Sequence, residues 1–346
     1  METIWFIAVA FMITMYVLLD GFDLGAGAIH LAAAKNDRER RTIIRAIGPV
    51  WDGNEVWLIA AGGTLFFAFP LLYASSFSGF YLPLIIVLWL LMIRGLAVEL
   101  RGHLENPLWA SFWDAAFFFG SSLLIVFYGA ALGNVVRGVP LNADGYFFQP
   151  LWTDFSPFSE EPGILDWYTV LIGLLAFTTL TAHGANWIAL KTEGALNARS
   201  RRISLTFSLA TAALTLVATP ATFWVSPWML EGFLERPYGL VLPLLALAGL
   251  AGMILLPLSG RDRPAFFASG AYVLGMLGST VFAVYPRVLP AVDPQNSLTI
   301  QNAASSDYSQ AVGLAWWSIG MVLAAVYFVL IYRLFRGKVN PEDEGY

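Results

Sequence analysis

Cysteine is absent from the 346 residues, which excludes disulfide frameworks, thiolate nucleophiles and thiolate metal sites. Histidine is nearly absent too: His30, His103 and His183 are the only three. Bis-ligated haem needs His/His or His/Met pairs at depth, so the chain is not expected to hold its own. Charge is scarce as well. Asp, Glu, Lys and Arg make up 12% of the chain, against about 25% in a soluble domain. With 58% hydrophobic residues and a mean hydropathy of +0.67, this composition indicates a polytopic membrane protein. No P-loop, His-Glu-x-x-His, di-iron Glu-x-x-His or dinucleotide fingerprint occurs, and no metal site or nucleic-acid partner is expected. There is no readable repeat or low-complexity tract. The start, Met1-Glu2-Thr3, lacks a basic region, so no cleavable signal is expected.

Long apolar runs fill most of what remains. At about 20 mostly apolar residues per span, the sequence predicts nine: 4–33, 49–70, 75–100, 109–135, 164–190, 203–226, 238–258, 264–285 and 309–333. Fifteen of the 19 Lys and Arg residues fall on one set of alternate connections: Lys35, Arg38, Arg40, Arg41 and Arg45; Arg101; Lys191, Arg199, Arg201 and Arg202; Arg261 and Arg263; Arg333, Arg336 and Lys338. The other set holds Arg137, Arg236 and Arg287, and Arg94 lies within a span. The positive-inside rule then places the N-terminus outside and the C-terminus in the cytoplasm. Two external connections, 136–163 and 286–308, are long and proline-spaced, as expected of lids or partner contacts. The short basic cytoplasmic loops set topology and meet anionic lipid.

The chain's organising stretch is Leu18-Leu-Asp-Gly-Phe-Asp-Leu-Gly-Ala-Gly27, which puts Asp20 and Asp23 near mid-span. One aspartate at a helix centre costs about 2.5–3.5 kcal/mol on insertion scales, so two require an interior setting. Spaced i,i+3, they share one helical face. Gly21, Gly25 and Gly27 let another helix approach closely. This is a packing seam with paired acids, a relay for protons or cations, or both. Asp52 lies just inside the second span, where the helix dipole favours a carboxylate, and Glu55 lies one turn deeper. Arg94 sits about 10 Å above Arg101 in the third span. It needs an acid such as Asp23, Glu55 or Glu99, and Arg94–Glu99 is the structural ion pair expected. A path Asp52, Glu55, Asp23, Asp20 would rise from the cytoplasm to mid-membrane. The 13 Trp, 13 Tyr and 26 Phe mostly suit an interfacial belt, whereas Trp51 and Trp57 flank the Asp52 motif and suit an internal feature.

These motifs carry a resemblance. Asp20-Gly-Phe-Asp-Leu-Gly-Ala-Gly27, Asn36-Asp-Arg-Glu-Arg-Arg41, Pro49-Val-Trp-Asp-Gly-Asn-Glu-Val-Trp57, Ala60-Ala-Gly-Gly63, Phe77-Ser-Gly-Phe-Tyr81, Gly133-Asn-Val-Val-Arg-Gly-Val-Pro140 and Phe282 to Pro290 followed by Ser297-Leu-Thr occur in family order. The chain thus resembles subunit II of the cytochrome bd quinol oxidases, the CydB family. The resemblance implies a single integral membrane domain over 1–346, all-α, with nine transmembrane helices as two four-helix bundles plus one peripheral helix. It implies a quinol:O2 oxidoreductase of the prokaryotic plasma membrane, built with subunit I, which carries two haems b and haem d. This chain would supply no haem ligand and no catalytic residue. Asp52 looks like the family's cytoplasmic proton uptake point, Trp57 like a lining residue of its O2 route, and Asp20 and Asp23 like its paired aspartates near the subunit interface. A structural quinone or lipid, small single-span accessory subunits and membrane lipids are the further partners it leaves room for. The competing class is a proton-coupled secondary transporter. That reading predicts broken segments in both halves, whereas the intramembrane acids concentrate in the first hundred residues.

Overall fold

Helices begin where the sequence supplies caps. The computed structural model describes residues 1–339, and in it α1 (Glu2–Ala33) is followed by a short α2 (Asp37–Ile47) that the span pattern does not predict. Its signal is local. Asn36 caps the helix by accepting from the Glu39 amide at 2.9 Å, Glu39 accepts from the Lys35 amide at 2.6 Å, and Ile43, Ile44 and Ile47 turn inward. Next, α3 (Trp51–Ala68) ends at Phe69, which precedes Pro70 and is kept out of the helical region at φ −132, ψ 67. The chain bends by 120° into α4 (Pro70–Gly79), then starts α5 (Tyr81–Leu100). The third expected span, 75–100, is therefore shorter: residues 75–79 belong to α4, because the bend at Phe69 starts a separate half-length helix.

The remaining spans are α6 (Pro107–Arg137), α7 (Trp167–Lys191), α8 (Gly194–Val225), α10 (Val241–Leu258), α11 (Asp262–Val284) and α12 (Asp307–Leu334), with a short α9 (Trp228–Glu235) before α10. Eight helices, or nine if α3 and α4 count as one bent span, are long and apolar enough to cross a membrane among the described residues. Asn106 caps α6, accepting from the Leu108 amide, and Asp166 forms a reciprocal capping box with Thr169 at the start of α7.

The connections sort onto two faces. Where α1 starts, Thr3 meets Tyr285 and the Ser305 amide donates to the Ala68 carbonyl. There the loop after α6 is laced to the loop after α11. Strands β1 (Arg287–Leu289) and β2 (Leu298–Thr299) pair antiparallel, and Val139 bridges Ala291. Arg137 is the pin of this face: it ion-pairs with Asp166 and donates to Asn134 Oδ1 at 2.6 Å and to the Gly163 carbonyl at 3.0 Å. On the opposite face Arg199 donates to the Ala33 carbonyl, Arg201 grips Asp262, and Arg101 grips Asp37.

Helix α1 packs against α7, α6 and α3; α5 packs on α6; and α7, α8, α10 and α11 pack on one another. Glycine permits the tightest crossing. A Cβ on Gly25 would lie 2.0 Å from the Leu180 carbonyl oxygen, and one on Gly184 would lie 2.2 Å from the Gly25 carbonyl carbon, so α1 and α7 touch backbone to backbone. By contrast, α12 buries only Gln310 among the described residues and stands at the edge beside α3.

Candidate functional site

Around the middle of α1, the sequence places two acids that solvent cannot reach. Asp20 and Asp23 are both 0% exposed. Asp20 is gripped by Arg94 of α5 through two parallel bonds of 2.7 Å, the bidentate geometry that a guanidinium and a carboxylate favour. The same guanidinium reaches Glu55 of α3 at 2.9 Å and lies 5.9 Å from the Trp51 ring centre. One cation thus serves two acids. Asp23 sits one turn further along α1 and accepts from Asn54 Nδ2 at 2.7 Å. Above Asp20, the Tyr16 hydroxyl donates to that of Tyr128 on α6 at 2.9 Å.

The expected Arg94–Glu99 pair does not form. Five residues along a helix is about 140° of rotation, so Glu99 points to the exposed side while Arg94 points inward, 1% exposed. Asp20, which the sequence left without a named partner, takes its place. Asp52 is exposed in the first turn of α3, and Glu55 follows one turn in with its side chain 24% exposed. Asp20, Glu55 and Asp23 are thus brought together around Arg94 and Asn54, and Asp52 lies at the exposed end of α3, one turn from Glu55. Trp57, two residues on and nearly opposite Glu55 on α3, is buried edge-on to Phe11 and tilted against Phe328, and its indole N–H has no partner. It lines a cleft of about 580 Å³ between α1, α3 and α12, with Met12, Gly63, Trp317 and Met321 among its almost wholly apolar neighbours.

A second cluster escaped sequence reasoning. Asp114 of α6, 1% exposed, accepts from His30 at 2.6 Å, from Arg101 at 2.5 Å and from Arg40 at 2.8 Å, joining α1, α2, α5 and α6 at the face opposite the N-terminus. The signal was an acid seven residues into an apolar run, which needs a partner at that depth. Arg101 continues to Asp37, and Arg41 joins it. Burial pushes the Asp37 carboxyl up, but Arg101 and Arg41 outweigh it and hold it below the usual carboxylate range.

Hydrogen bonds already engage Nε2 of His30 and both ring nitrogens of His183. His183, expected near the membrane edge, is buried between α1, α7 and α11, with Nδ1 on the Ser269 hydroxyl and Nε2 on the Leu18 carbonyl. His30 spends Nε2 on Asp114, and His103 is exposed beside the Glu99 carbonyl. None of them lines the Trp57 cleft or the polar groove near Asn36 and Lys338. Among the described residues, no group of three or more His, Asp or Glu could hold a metal ion.

Fold and site together define a multi-pass helical membrane protein whose polar chemistry is a cluster of carboxylates around one arginine. The sequence pattern of the cytochrome bd terminal oxidase subunit II family matches residues 1–335, and the chain belongs to that family. The "Probable cytochrome oxidase subunit 2" of Haemophilus influenzae is 32% identical, over 97% of this chain and 94% of that one. The "Cytochrome bd ubiquinol oxidase subunit 2" of Bacillus subtilis is 32% identical over 99% and 98%, and the Escherichia coli K12 "Cytochrome bd-I ubiquinol oxidase subunit 2" is 28% identical over 98% and 95%. The solved bd oxidase from Geobacillus thermodenitrificans shares the fold, with a TM-score of 0.74 at 18% identity over 96% and 98% of the two chains. The chain is accordingly a subunit of an oxidoreductase complex in the bacterial plasma membrane.

Proposed function

We propose that this chain is the haem-free subunit of a quinol:O2 oxidoreductase and carries protons and O2 toward a haem-bearing subunit I. The observation that carries the proton reading is the series from exposed Asp52 through partly buried Glu55 to Arg94, Asp20 and Asp23. Three inner carboxylates lie near one guanidinium, which pairs with Asp20 and Glu55, while Asp23 is held by Asn54. Full ionisation would leave two negative charges without a cation, at a cost of several kcal/mol each away from water, so a proton entering the cluster is stabilised there and can be passed on. Asp52 collects them at the surface, and Glu55, one turn in, receives them.

Glu55 also indicates where the partner lies. Its exposed edge sits beside Val56 and Ile59, which are 51% and 73% exposed. A carboxylate edge cannot be left against hydrocarbon, so subunit I covers this side of α3, with α5 and α12 beside it. The two haems b and haem d belong to that partner and supply the electron transfer and O2 reduction. In this reading residues 1–339 form one integral domain, with α1, α3, α5 and α6 as one four-helix bundle, α7, α8, α10 and α11 as the other, and α12 peripheral. The Arg- and Lys-rich face is cytoplasmic and the N-terminus outside. The apolar cleft beside Trp57 suits O2, a lipid chain or a structural quinone, and the edge helices leave room for single-span accessory subunits.

Asp52→Asn in the intact complex tests the proton reading. Quinol-driven O2 uptake is expected to fall about tenfold with haem content unchanged, since one proton-transfer group typically contributes 10²–10⁴-fold and water in part replaces a surface one. Normal turnover at full haem content would remove Asp52 from the route.

A further inference from the structure

Asn54 is wholly buried where α1, α3 and α12 meet. Its Nδ2 lies 2.7 Å from Asp23 Oδ2 and 3.3 Å from the Leu19 carbonyl oxygen, and its Oδ1 lies 2.9 Å from the Tyr332 hydroxyl. A main-chain carbonyl can only accept, so the Leu19 contact fixes the amide: its NH2 faces α1 and its oxygen faces α12. Tyr332 therefore donates to Asn54, and Asn54 donates to Asp23. Bonds in such a series polarise and strengthen one another.

This direction makes the two oxygens of the Asp23 carboxyl group unequal. Oδ2 of Asp23 is committed as an acceptor, while Oδ1 is buried and has no partner. We propose that Tyr332, acting through Asn54, is a positioning residue that holds the Asp23 carboxyl so that Oδ1 is the atom that gains and releases the proton. The proposal rests on the proton-route reading above. It makes α12, a helix at the edge that buries only Gln310 among the described residues, part of that route. The charged and titratable groups that face Asp23 are Asp20 on its own helix, Glu55 on α3, Arg94 on α5 and Tyr332 on α12. Of these, Tyr332 alone acts through a neutral hydrogen-bond relay, and its ring stays packed near Phe328 and Trp187 when the hydroxyl is removed.

The test is the infrared spectrum of the purified complex, with the Asp23 carboxyl band assigned by its loss in Asp23→Asn. With the proton on Oδ1, Oδ2 is the C=O oxygen that accepts from Asn54. In Tyr332→Phe the Asn54 donation weakens, so the C=O band should move to higher frequency, and turnover should fall severalfold with the KM for quinol unchanged. Asn54→Ala removes the donor itself and should move the band further in the same direction. A Tyr332→Phe band identical to that of the wild type overturns the positioning role. Normal turnover in Asp23→Asn instead overturns the proton route, and leaves the band comparison to decide the role of Tyr332 separately.

Discussion

Arg94→Leu is expected to abolish accumulation of the assembled oxidase complex. The substitution leaves Asp20 fully buried without its two 2.7 Å donors and strips Glu55 of its one cation. Removing one partner of a buried pair costs about 3–5 kcal/mol, because the charge that stays behind is uncompensated. That is a large part of the 5–15 kcal/mol by which a native protein is stable. The companion experiment separates this cause from lost packing. Arg94→Leu with Asp20→Asn removes both members, and replacing a buried pair outright is often neutral, so the double variant should recover a large share of the complex. Arg94→Lys should give an intermediate level, since an ammonium cannot fork to two carboxylate oxygens. Haem content of membranes, read through a tag on this chain, measures all three. Full accumulation of Arg94→Leu would contradict the account.

The second large effect belongs to the α1–α7 crossing. Gly184→Ala places a methyl group 2.2 Å from the Gly25 carbonyl carbon and 2.4 Å from the Ala26 nitrogen, and none of these is a side chain that can swing away. The helices must separate, and overpacking of this kind costs about 1–3 kcal/mol or more. Separation would also shift Asp20 and Asp23 against Arg94 and Asn54, which sit on other helices. Gly184→Ala should therefore lower both the thermal stability of the complex and its turnover. Gly102→Ala, where nothing lies within 4 Å of the added carbon, should stay within about 0.5 kcal/mol of the wild type. Equal stability of the two variants would show that the crossing tolerates what its geometry forbids.

The spans were legible in the sequence because hydrocarbon imposes a length and an apolarity that composition cannot hide. The bend at Phe69-Pro70 was also written there, in the restriction that proline places on its predecessor, but hydropathy alone runs across it. Helix α2 was hidden because it is too short to span, and its Asn36–Glu39 cap had to be read as local chemistry. The acids Asp20, Asp23, Asp52 and Glu55 stood out because intramembrane charge is expensive, yet which acid Arg94 would meet depended on how three helices rotate against one another. Sequence spacing cannot supply that rotation: of the acids it offers Arg94, Glu55 is met and Glu99 is not, and Asp20 takes the bidentate place. The Arg137–Asp166 pin is hidden for a related reason: it lies near span ends, where a charge needs no explanation until its burial is known. Asp114 lies deeper in its span and needs a partner, but spacing cannot show that His30, Arg40 and Arg101 converge on it.

The most direct test of the account is an optical redox spectrum of the complex purified through a tag on this chain, followed by the spectrum of the chain after separation from its partner. The account predicts haem b and haem d bands with quinol-dependent O2 uptake in the complex, and no haem with the separated chain. Haem that stays with this chain, or a colourless preparation that takes up no O2, would contradict it.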